Sequence, residues 1–293
     1  ALTEDTLVLS PSVRRERKEL ALAAARGVAL TSDAELFFEL VRSPVYAVSG
    51  SDGKSTVATL TSLLLGGTKC GTAICGNVGE PMLPTLEAGY SRYVTELSSF
   101  MLRYLSPSCK RAALTNITPN HLDWHADFEE YKEAKLSLYE KACEAVINLD
   151  DKVIRESFSS PIFSAVSTEL DFAMARKAAR AEVYYTLEGG YIKRNGESYM
   201  PVNEMRRQEG HNLKNFMLAL ALTDGVRLSD FREIARNFVG LAHRCEQVAA
   251  WRGITFVNSS IDTSPARCAT TLSSQKSPTV VILGGRGKGV PFT

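Results

Sequence analysis

The sequence predicts an α/β protein in which a central parallel sheet carries a phosphate-binding loop and has helices on both faces. Three observations predict this fold class. Strand-like and helix-like segments alternate from about Pro44 onward, a glycine turn followed by lysine joins the first of these strands to a helix, and polar residues stand where several strands end. Beside this mononucleotide-binding sheet we expect a partial N-terminal domain and the start of a Rossmann-like C-terminal domain.

Composition limits the possible functions. The chain has 293 residues, and its charges nearly cancel, with 34 basic and 33 acidic residues and a net charge of +1. This balance argues against nucleic acid or a membrane surface as the main partner. The sequence has no apolar run of about 18 residues and no signal-like N-terminus, and its six cysteines form no Cys-x-x-Cys pair. We therefore expect a reduced, cytoplasmic monomer without membrane insertion.

Residues 1–43 predict only a small set of elements. A strand is expected at Thr6–Leu9, then a basic helical stretch, then a capped amphipathic helix at Asp33–Leu40. These elements are too few to bury a core of their own. We interpret them as the remaining part of an N-terminal domain.

Residues 44–240 predict the central domain. The expected strands are Val45–Val48, Tyr93–Leu97, Arg111–Asn116, Ala145–Leu149 and a hairpin of Val183–Leu187 with Tyr191–Lys193. The expected helices are Val57–Leu65, Phe128–Cys143 and Asn212–Leu222. Residues 241–293 then begin a third domain, with strands at Gly253–Asn258 and Thr279–Leu283 around a short helix.

The turn after Val48 has the composition of a phosphate-binding loop, Gly50-Ser51-Asp52-Gly53-Lys54-Ser55-Thr56. Glycines let backbone N–H groups approach phosphate oxygens, and the N-terminus of the next helix adds partial positive charge. The lysine reaches the outer phosphates and a hydroxyl can bind Mg²⁺. Only two residues separate the glycines, and an ordinary strand-to-helix turn with a solvated lysine is the alternative.

Six further motifs follow the loop in order. They are Gly76–Gly79, Glu96–Phe100, Thr115–His125, Tyr131–Lys135, Gly210–Asn215 and Gly240–Arg244. Together with the loop they resemble the Mur ligases of peptidoglycan synthesis, from about Leu7 to Phe292 but thinly between about 150 and 205. The Glu96–Phe100 string, the Val257–Pro265 string and the ending at Gly284–Phe292 are most similar to the members that add D-glutamate.

The resemblance implies an ATP-dependent amide ligase that joins D-glutamate to UDP-N-acetylmuramoyl-L-alanine through an acyl phosphate. Residues 1–43 would then belong to a UDP-binding domain, 44–240 to the ATP-binding domain and 241–293 to an amino-acid-binding domain. The implied cofactors are ATP and Mg²⁺, the latter at two sites. The chemistry is consistent with this, since activating a carboxylate with ATP brings two anions together and requires cations.

The resemblance also assigns roles to residues. The implied catalytic residues are Lys54, Asn77, His121 and Lys135. The implied nucleotide-binding residues are the seven loop residues Gly50, Ser51, Asp52, Gly53, Lys54, Ser55 and Thr56, with Asn212, Asn215 and Arg244. The implied metal ligands are Ser55, Glu96, His121 and Lys135, the lysine as a carbamate formed with CO₂.

Each assignment has an ordinary structural alternative. Glu96 could be a surface carboxylate or a helix cap, and His121 could belong to a local polar turn. Lys135 could be a solvated lysine among helical glutamates. Asn212 could cap a helix and Arg244 could form an interdomain salt bridge.

Two other functions remain open on the sequence. A folylpolyglutamate-synthase-like ligase would share this architecture, although the Glu96–Phe100 string argues against it. A nucleotide-binding relative without ligase activity would fit Asp52 and Ser259, because the family commonly has asparagine at the first position and an acidic residue at the second. A carboxylate at Asp52 should weaken phosphate binding unless it points away, and Asp262 could compensate for Ser259.

Overall fold

The computed structural model describes residues 5–158, 162–262, 265–273, 275 and 277–285. Within these ranges the strands are β1 (Thr6–Val8), β2 (Ala29–Thr31), β3 (Val45–Ser49), β4 (Thr72–Gly76), β5 (Arg92–Glu96), β6 (Cys109–Leu114), β7 (Ala142–Asn148), β8 (Ile162–Ser167), β9 (Ala181–Glu188), β10 (Tyr191–Arg194), β11 (Glu197–Pro201), β12 (Glu246–Trp251) and β13 (Ile254–Asn258). The α-helices are α1 (Lys18–Ala25), α2 (Asp33–Leu40), α3 (Lys54–Leu64), α4 (Met82–Glu87), α5 (Ser99–Leu102), α6 (Phe128–Leu136), α7 (Lys152–Ser157), α8 (Phe172–Ala178), α9 (Gly210–Leu222), α10 (Leu228–Asn237) and α11 (Pro265–Ser273). Short 3₁₀ turns lie at Thr68–Cys70, Ser137–Tyr139 and Val202–Glu204.

The main sheet has the strand order β11-β10-β9-β8-β7-β6-β3-β5-β4. All strands from β4 to β9 along this order run parallel, and β10 and β11 add an antiparallel edge. Along the chain, β3 is followed by β4 and β5, which lie on one side of it in the sheet, and then by β6, which lies on its other side. The direction in which strands are added to the sheet therefore reverses at β3. Ligands of open α/β sheets bind at such a reversal, beyond the carboxyl ends of the strands. The predicted α/β fold class is confirmed.

Strand β3 lies at the centre of this sheet and is buried along its whole length. Because strand side chains alternate between faces, Tyr46 and Val48 pack into one core while Val45 and Ala47 pack into another. The first core contains the apolar residues of α3 and α9, and the second contains those of α2, α5 and α6. The uninterrupted apolar run of this strand therefore reflects helices on both faces.

Helix α9 has two buried polar residues, Asn212 and Asn215, in an otherwise apolar buried face. Its buried residues run almost without interruption from Asn212 to Leu222, and it packs against α3. A helix that is apolar all round is a core helix. The buried asparagines at its start are therefore exceptions that require a local explanation.

The helix predicted at Phe128–Cys143 is too long. It ends at Leu136, because the next residues use their side chains for tertiary hydrogen bonds. The Ser137 hydroxyl donates to the Leu102 carbonyl at 3.0 Å, and the Tyr139 hydroxyl donates to the Val146 carbonyl at 2.9 Å. Strand β7 consequently begins at Ala142, earlier than predicted.

The strand predicted at Thr279–Leu283 is wrong. Val280 and Ile282 are 95% and 97% exposed and belong to no strand. A strand needs a neighbour for its backbone groups, and no other described residue supplies one. Strands β12 and β13 pair antiparallel in a sheet of their own. Most of the Gly284–Phe292 motif, at 286–292, lies outside the described residues, as do Thr263 and Ser264.

The N-terminal segment contains the predicted strand and helix. β1 pairs with β2 in parallel, and the Ser32 hydroxyl caps α2 by accepting a hydrogen bond from the Glu35 amide at 3.3 Å. The loop after β1 contacts the main unit, since the Trp124 indole donates to the Ser12 carbonyl at 2.7 Å.

None of the described helices has the length and apolar character needed to cross a bilayer.

Candidate functional site

The phosphate-binding loop depends on glycine at two positions. Gly50 follows β3 with φ +138°, and a Cβ there would lie 1.9 Å from the Thr115 hydroxyl oxygen. Gly53 precedes α3 with φ +84°, and a Cβ there would lie 2.6 Å from Oδ1 of Asn215. A side chain at either position would strain the backbone and clash with a neighbour. The turn therefore brings its backbone close to β6 and α9.

Hydrogen bonds from neighbouring elements hold the loop in this shape. The Ser51 amide donates to the Asn116 carbonyl at 2.8 Å, and the Asp52 amide donates to Oδ1 of Asn116 at 3.0 Å. The Ser51 and Tyr131 hydroxyls are 2.7 Å apart, and the Lys54 ammonium donates to the Ser51 carbonyl at 3.0 Å. The loop geometry is thus organised by the protein itself.

A cavity of about 460 Å³ opens between this loop, α9 and the segment after Gly240. This volume lies in the range of small-ligand sites. Among the loop and candidate residues, its lining includes Asp52, Gly53, Thr56, Asn212, Asn215 and Arg244. Other lining residues are Asn116, Asn148, Asp150, Arg207, Lys214 and Asp262. Six of the ten predicted nucleotide-binding residues therefore line one space, whereas Gly50, Ser51, Lys54 and Ser55 are not among its lining residues.

Arg244 reaches the loop from the start of the C-terminal segment. Its Nη2 donates to the Ser55 hydroxyl at 3.4 Å. A guanidinium here adds a fixed positive charge beside the helix N-terminus, which suits phosphate oxygens. Asp262 lies on the same wall and accepts hydrogen bonds from Ser259 and Thr271, each at 2.6 Å. Ser259 is therefore hydrogen-bonded to the carboxylate of Asp262, which lines the cavity.

The two asparagines of α9 have different surroundings. Helix α9 begins at Gly210, so Asn212 lies inside its first turn and the capping alternative is wrong. Its side-chain amide donates to Oε2 of Glu209 at 3.0 Å. Asn215 lies one turn further and faces the Gly53 backbone. Both asparagines are buried yet line the cavity.

Asp150 and Lys214 form the far wall of the cavity. The Asp150 carboxylate is buried and accepts hydrogen bonds from the Thr168 amide at 2.9 Å, from the Ser167 and Thr168 hydroxyls, and from Lys214 at 2.9 Å. Burial alone would raise the pKa of Asp150, but these hydrogen bonds lower it below its ordinary value. Sequence reasoning missed this pair. The position of Asp150 just after a predicted strand, and of Lys214 inside the Gly210–Asn215 motif, were the available signals.

Lys135 is buried on α6 with only 2% of its surface exposed, so the solvated-lysine alternative is wrong. Its Nζ donates to the Gly50 carbonyl at 2.8 Å and lies 4.8 Å from the centre of the Tyr131 ring. Burial, and then the positive charge of Lys54, hold the pKa of the Lys135 amine well below its usual value. A lowered pKa increases the share of neutral amine, which is the nucleophilic form.

Glu96 is fully buried at the carboxyl end of β5. Its Oε1 accepts a hydrogen bond from the Asn77 side chain at 2.7 Å, whereas its Oε2 has no hydrogen-bond partner among the described residues. The following helix is capped by Ser98, whose hydroxyl accepts from the Met101 amide. Both alternatives for Glu96, a surface carboxylate and a helix cap, are therefore wrong. A buried carboxylate oxygen without a partner is costly and suits a cation.

His121 lies in a tight turn between β6 and α6, with φ +54°. Its ring contacts that of Phe100, with centroids 5.0 Å apart, and its carbonyl accepts from the amides of Trp124 and His125. His121 is thus part of a polar turn, but its ring is directed to the segment after Glu96. Within the described ranges, no three His, Cys, Asp or Glu side chains cluster as a metal site. Magnesium here would draw on hydroxyls, phosphate oxygens and water as well.

Solved structures share this fold at low sequence identity. The UDP-N-acetylmuramate–alanine ligase of Thermotoga maritima aligns with a TM-score of 0.63 at 18% identity, over 92% of this chain and 63% of that chain. A pseudomurein peptide ligase type C from Methanothermus fervidus aligns with a TM-score of 0.56 at 18% identity, over 84% and 60%.

Curated proteins named UDP-N-acetylmuramoylalanine–D-glutamate ligase are more similar in sequence. Those of Symbiobacterium thermophilum and Ruminiclostridium cellulolyticum are each 35% identical over 98% of this chain, which covers 65% and 63% of their lengths. This chain thus spans just under two thirds of these relatives. The family model of the Mur ligase middle domain matches residues 48–223, a range that contains the loop, β5, α6 and all of α9, and the chain therefore belongs to the Mur ligase family.

Proposed function

We propose that the chain is the ATP-binding part of a ligase that joins D-glutamate to UDP-N-acetylmuramoyl-L-alanine. In this proposal 44–240 is the ATP-binding domain. Residues 1–43 are the remainder of a UDP-binding domain, and 241–293 begin the amino-acid-binding domain. The names of the curated relatives, which align over 98% of this chain, support the choice of substrates.

One observation carries the proposal: a buried carboxylate oxygen of Glu96, without a hydrogen-bond partner among the described residues, lies beside a phosphate-binding loop. Glu96 pairs in register with Val48, two residues before Gly50. A buried carboxylate of this kind is costly unless a cation pairs with it. A ligase needs such a cation, because it must bring the substrate carboxylate and the ATP phosphates together.

The residues fit magnesium, since no residue that the structure describes forms a hydrogen bond with Oε2 of Glu96, and Ser55 lies at the start of α3. Glu96, Ser55, His121 and a carbamate on Lys135 would hold it. When bound, Mg²⁺ neutralises charge that develops on the phosphate oxygens. To form the carbamate, the neutral Lys135 amine bonds to the carbon of CO₂, one carbon–oxygen π bond opens to leave the negative charge on oxygen, and the nitrogen releases a proton to water. The amine is thereby converted into an anionic oxygen ligand.

The remaining residues bind and orient the reactants. The loop amides, the α3 N-terminus, Lys54 and Arg244 would hold the ATP phosphates, while Asn212 and Asn215 would contact the nucleoside side of the cavity. Asn77 orients Glu96 and would reach the acyl phosphate. An oxygen of the UDP-N-acetylmuramoyl-L-alanine carboxylate attacks the terminal phosphorus of ATP, and ADP leaves. The amine of D-glutamate then attacks the acyl carbon, and inorganic phosphate leaves with that oxygen.

Substrate dependence of phosphate release tests the proposal on the full-length protein. We expect phosphate release only when ATP, UDP-N-acetylmuramoyl-L-alanine and D-glutamate are all present. Release with a folate and L-glutamate would instead favour the folylpolyglutamate-synthase-like alternative. Absence of release with any amino acid would favour a non-catalytic nucleotide-binding relative.

The proposal also places the protein in the cytoplasm as a monomer. Its substrates, ATP and a UDP-linked precursor, are cytoplasmic metabolites. All residues proposed for the site belong to one chain, so a single copy is sufficient. Sedimentation of the full-length protein would test the monomer directly.

A further inference from the structure

Ser55, one of the four residues proposed to hold magnesium, belongs to the phosphate-binding loop and α3, whereas the other three lie on three separate segments. Glu96 ends β5, His121 lies in the turn before α6, and Lys135 lies in the last turn of α6. A metal site requires its ligands to be held within narrow limits of distance and angle. Something other than secondary structure must therefore fix these segments relative to one another.

His125 contacts all three segments. Its Nε2 is 3.0 Å from the Ser99 hydroxyl, in the helix that follows Glu96, and its Nδ1 is 3.1 Å from Oε1 of Glu130, in the first turn of α6. Its amide donates to the His121 carbonyl at 2.9 Å. The side chain is fully buried and packs against the Phe100, Trp124 and Tyr131 rings. His125 thus links the three segments that contain Glu96, His121 and Lys135.

The hydrogen-bond partners of His125 indicate which nitrogen of its ring carries the proton. A Glu130 carboxylate can only accept, so Nδ1 carries the proton and Nε2 accepts from the Ser99 hydroxyl. Burial lowers the pKa of His125, which agrees with a neutral ring. A neutral histidine with one donor and one acceptor fills both contacts without leaving a buried polar atom unpaired.

Glu130 is fixed in turn by the N-terminal segment. Its Oε2 accepts from Nη2 of Arg14 at 3.1 Å and lies 3.6 Å from Nε of Arg103. Arg14 lies in the segment between β1 and α1, outside the main sheet unit. A chain of contacts, which we call the His125 clamp, therefore runs from Arg14 in the N-terminal segment through Glu130 and His125 to Ser99.

We propose that His125 is a positioning residue for magnesium, which holds Glu96, His121 and Lys135 in one arrangement without touching the metal. The proposal rests on the proposed function. It adds a residue that supports the ligands and a physical link from the N-terminal segment to them. Supporting residues of this kind commonly change metal affinity by about 10- to 100-fold.

Mn²⁺ binding, followed by electron paramagnetic resonance on the full-length protein with ADP, tests this role. His125→Asn keeps a donor near the Nδ1 position, and His125→Gln keeps an acceptor near the Nε2 position, so each retains one arm. We expect both to weaken Mn²⁺ binding about tenfold and His125→Ala to weaken it more. ADP binding without metal should change less than about threefold.

Tyr184→Phe is the matched control, because it also removes two buried hydrogen bonds, to Ala179 and Ala181, but far from the loop. It should leave Mn²⁺ affinity unchanged. Wild-type Mn²⁺ affinity in folded His125→Asn and His125→Gln would overturn the positioning role alone. If the wild-type protein itself bound no Mn²⁺ with ADP, the proposed function and this role would both fail.

Discussion

The ε-amino group of Lys135 donates a hydrogen bond to the carbonyl of Gly50 at 2.8 Å, so α6 contacts the first residue of the phosphate-binding loop. This contact is made at the carboxyl end of the central strand β3, where the strand order of the sheet reverses. The lowered pKa of this buried amine favours the neutral form, which the proposed carbamate requires. As a permanent cation it would be costly to bury.

Replacement of Lys135 by alanine should remove ligase activity. We expect a loss of at least about 100-fold in kcat, because an anionic ligand near the transferring phosphate is lost. A short-chain carboxylic acid in the buffer should partly restore turnover, since it can occupy the vacated space. Lys132→Ala on the same helix is the control and should retain activity, because Lys132 pairs with Glu129 at the surface. Full activity of the Lys135 variant would exclude the role.

Gly53→Ala should weaken ATP binding. The new Cβ would sit 2.6 Å from Oδ1 of Asn215 in a backbone conformation that costs about 1–2 kcal/mol for alanine. The loop must shift, and we expect at least a tenfold rise in the calorimetric Kd for ATP, or about 1.4 kcal/mol. Gly189→Ala is the matched control, since its φ is +58° but nothing lies within 4 Å. Equal ATP affinity in both variants would contradict this account of the loop.

Glu96→Gln should separate function from stability. The amide keeps the shape of the side chain but removes a buried carboxylate whose Oε2 accepts no hydrogen bond from the part of the chain that the structure describes. We therefore expect a midpoint of thermal unfolding equal to or above that of the wild type, with Mn²⁺ affinity reduced about tenfold or more. Glu144→Gln is the control, because Glu144 pairs with Arg111 on β6. A Glu96 variant that is less stable but binds Mn²⁺ normally would assign Glu96 a structural role.

Asp150→Asn should make the free energy of unfolding depend less on pH in the acidic range. The pKa of Asp150 is lowered in the folded state, so its carboxylate stabilises the fold above the unfolded pKa, which is about 4. This contribution is lost as the pH falls below that value and through the folded pKa. Denaturant unfolding should show the variant about 1–3 kcal/mol less stable at pH 7, with the difference shrinking below pH 4.

Asp230→Asn provides the comparison for that experiment. Asp230 also pairs with a basic side chain, that of Arg227, but at the surface, where such pairs contribute little. Its removal should change stability at neutral pH much less than removal of Asp150. An Asp150 variant whose deficit is the same at pH 3 and pH 7 would show that packing, not charge, is responsible.

The sequence predicted the sheet and the loop because both leave strong local patterns. The apolar Val45–Val48 run and the glycine turn after it are visible without tertiary information. The length of α6 was not predictable in this way, since it ends where Ser137 and Tyr139 bond to distant carbonyls. Strand Thr279–Leu283 failed for a related reason: an apolar run predicts a strand only if a neighbouring strand is present.

The candidate site was predicted in part through resemblance and only weakly through residue chemistry. Residue patterns alone favoured a solvated Lys135, whereas the structure buries it against Gly50. The Asp150–Lys214 pair and the His125 clamp join residues far apart in sequence. Their partners become visible only when β5, β7, α6 and α9 are brought together.

The central claim is that an oxygen of a substrate carboxylate attacks ATP bound at the loop. Transfer of ¹⁸O tests it most directly, with UDP-N-acetylmuramoyl-L-alanine labelled in its terminal carboxylate, ATP, D-glutamate and the full-length protein. Mass spectrometry of the released inorganic phosphate should find one ¹⁸O atom per phosphate from fully labelled substrate. Amide product accompanied by unlabelled phosphate would contradict the account.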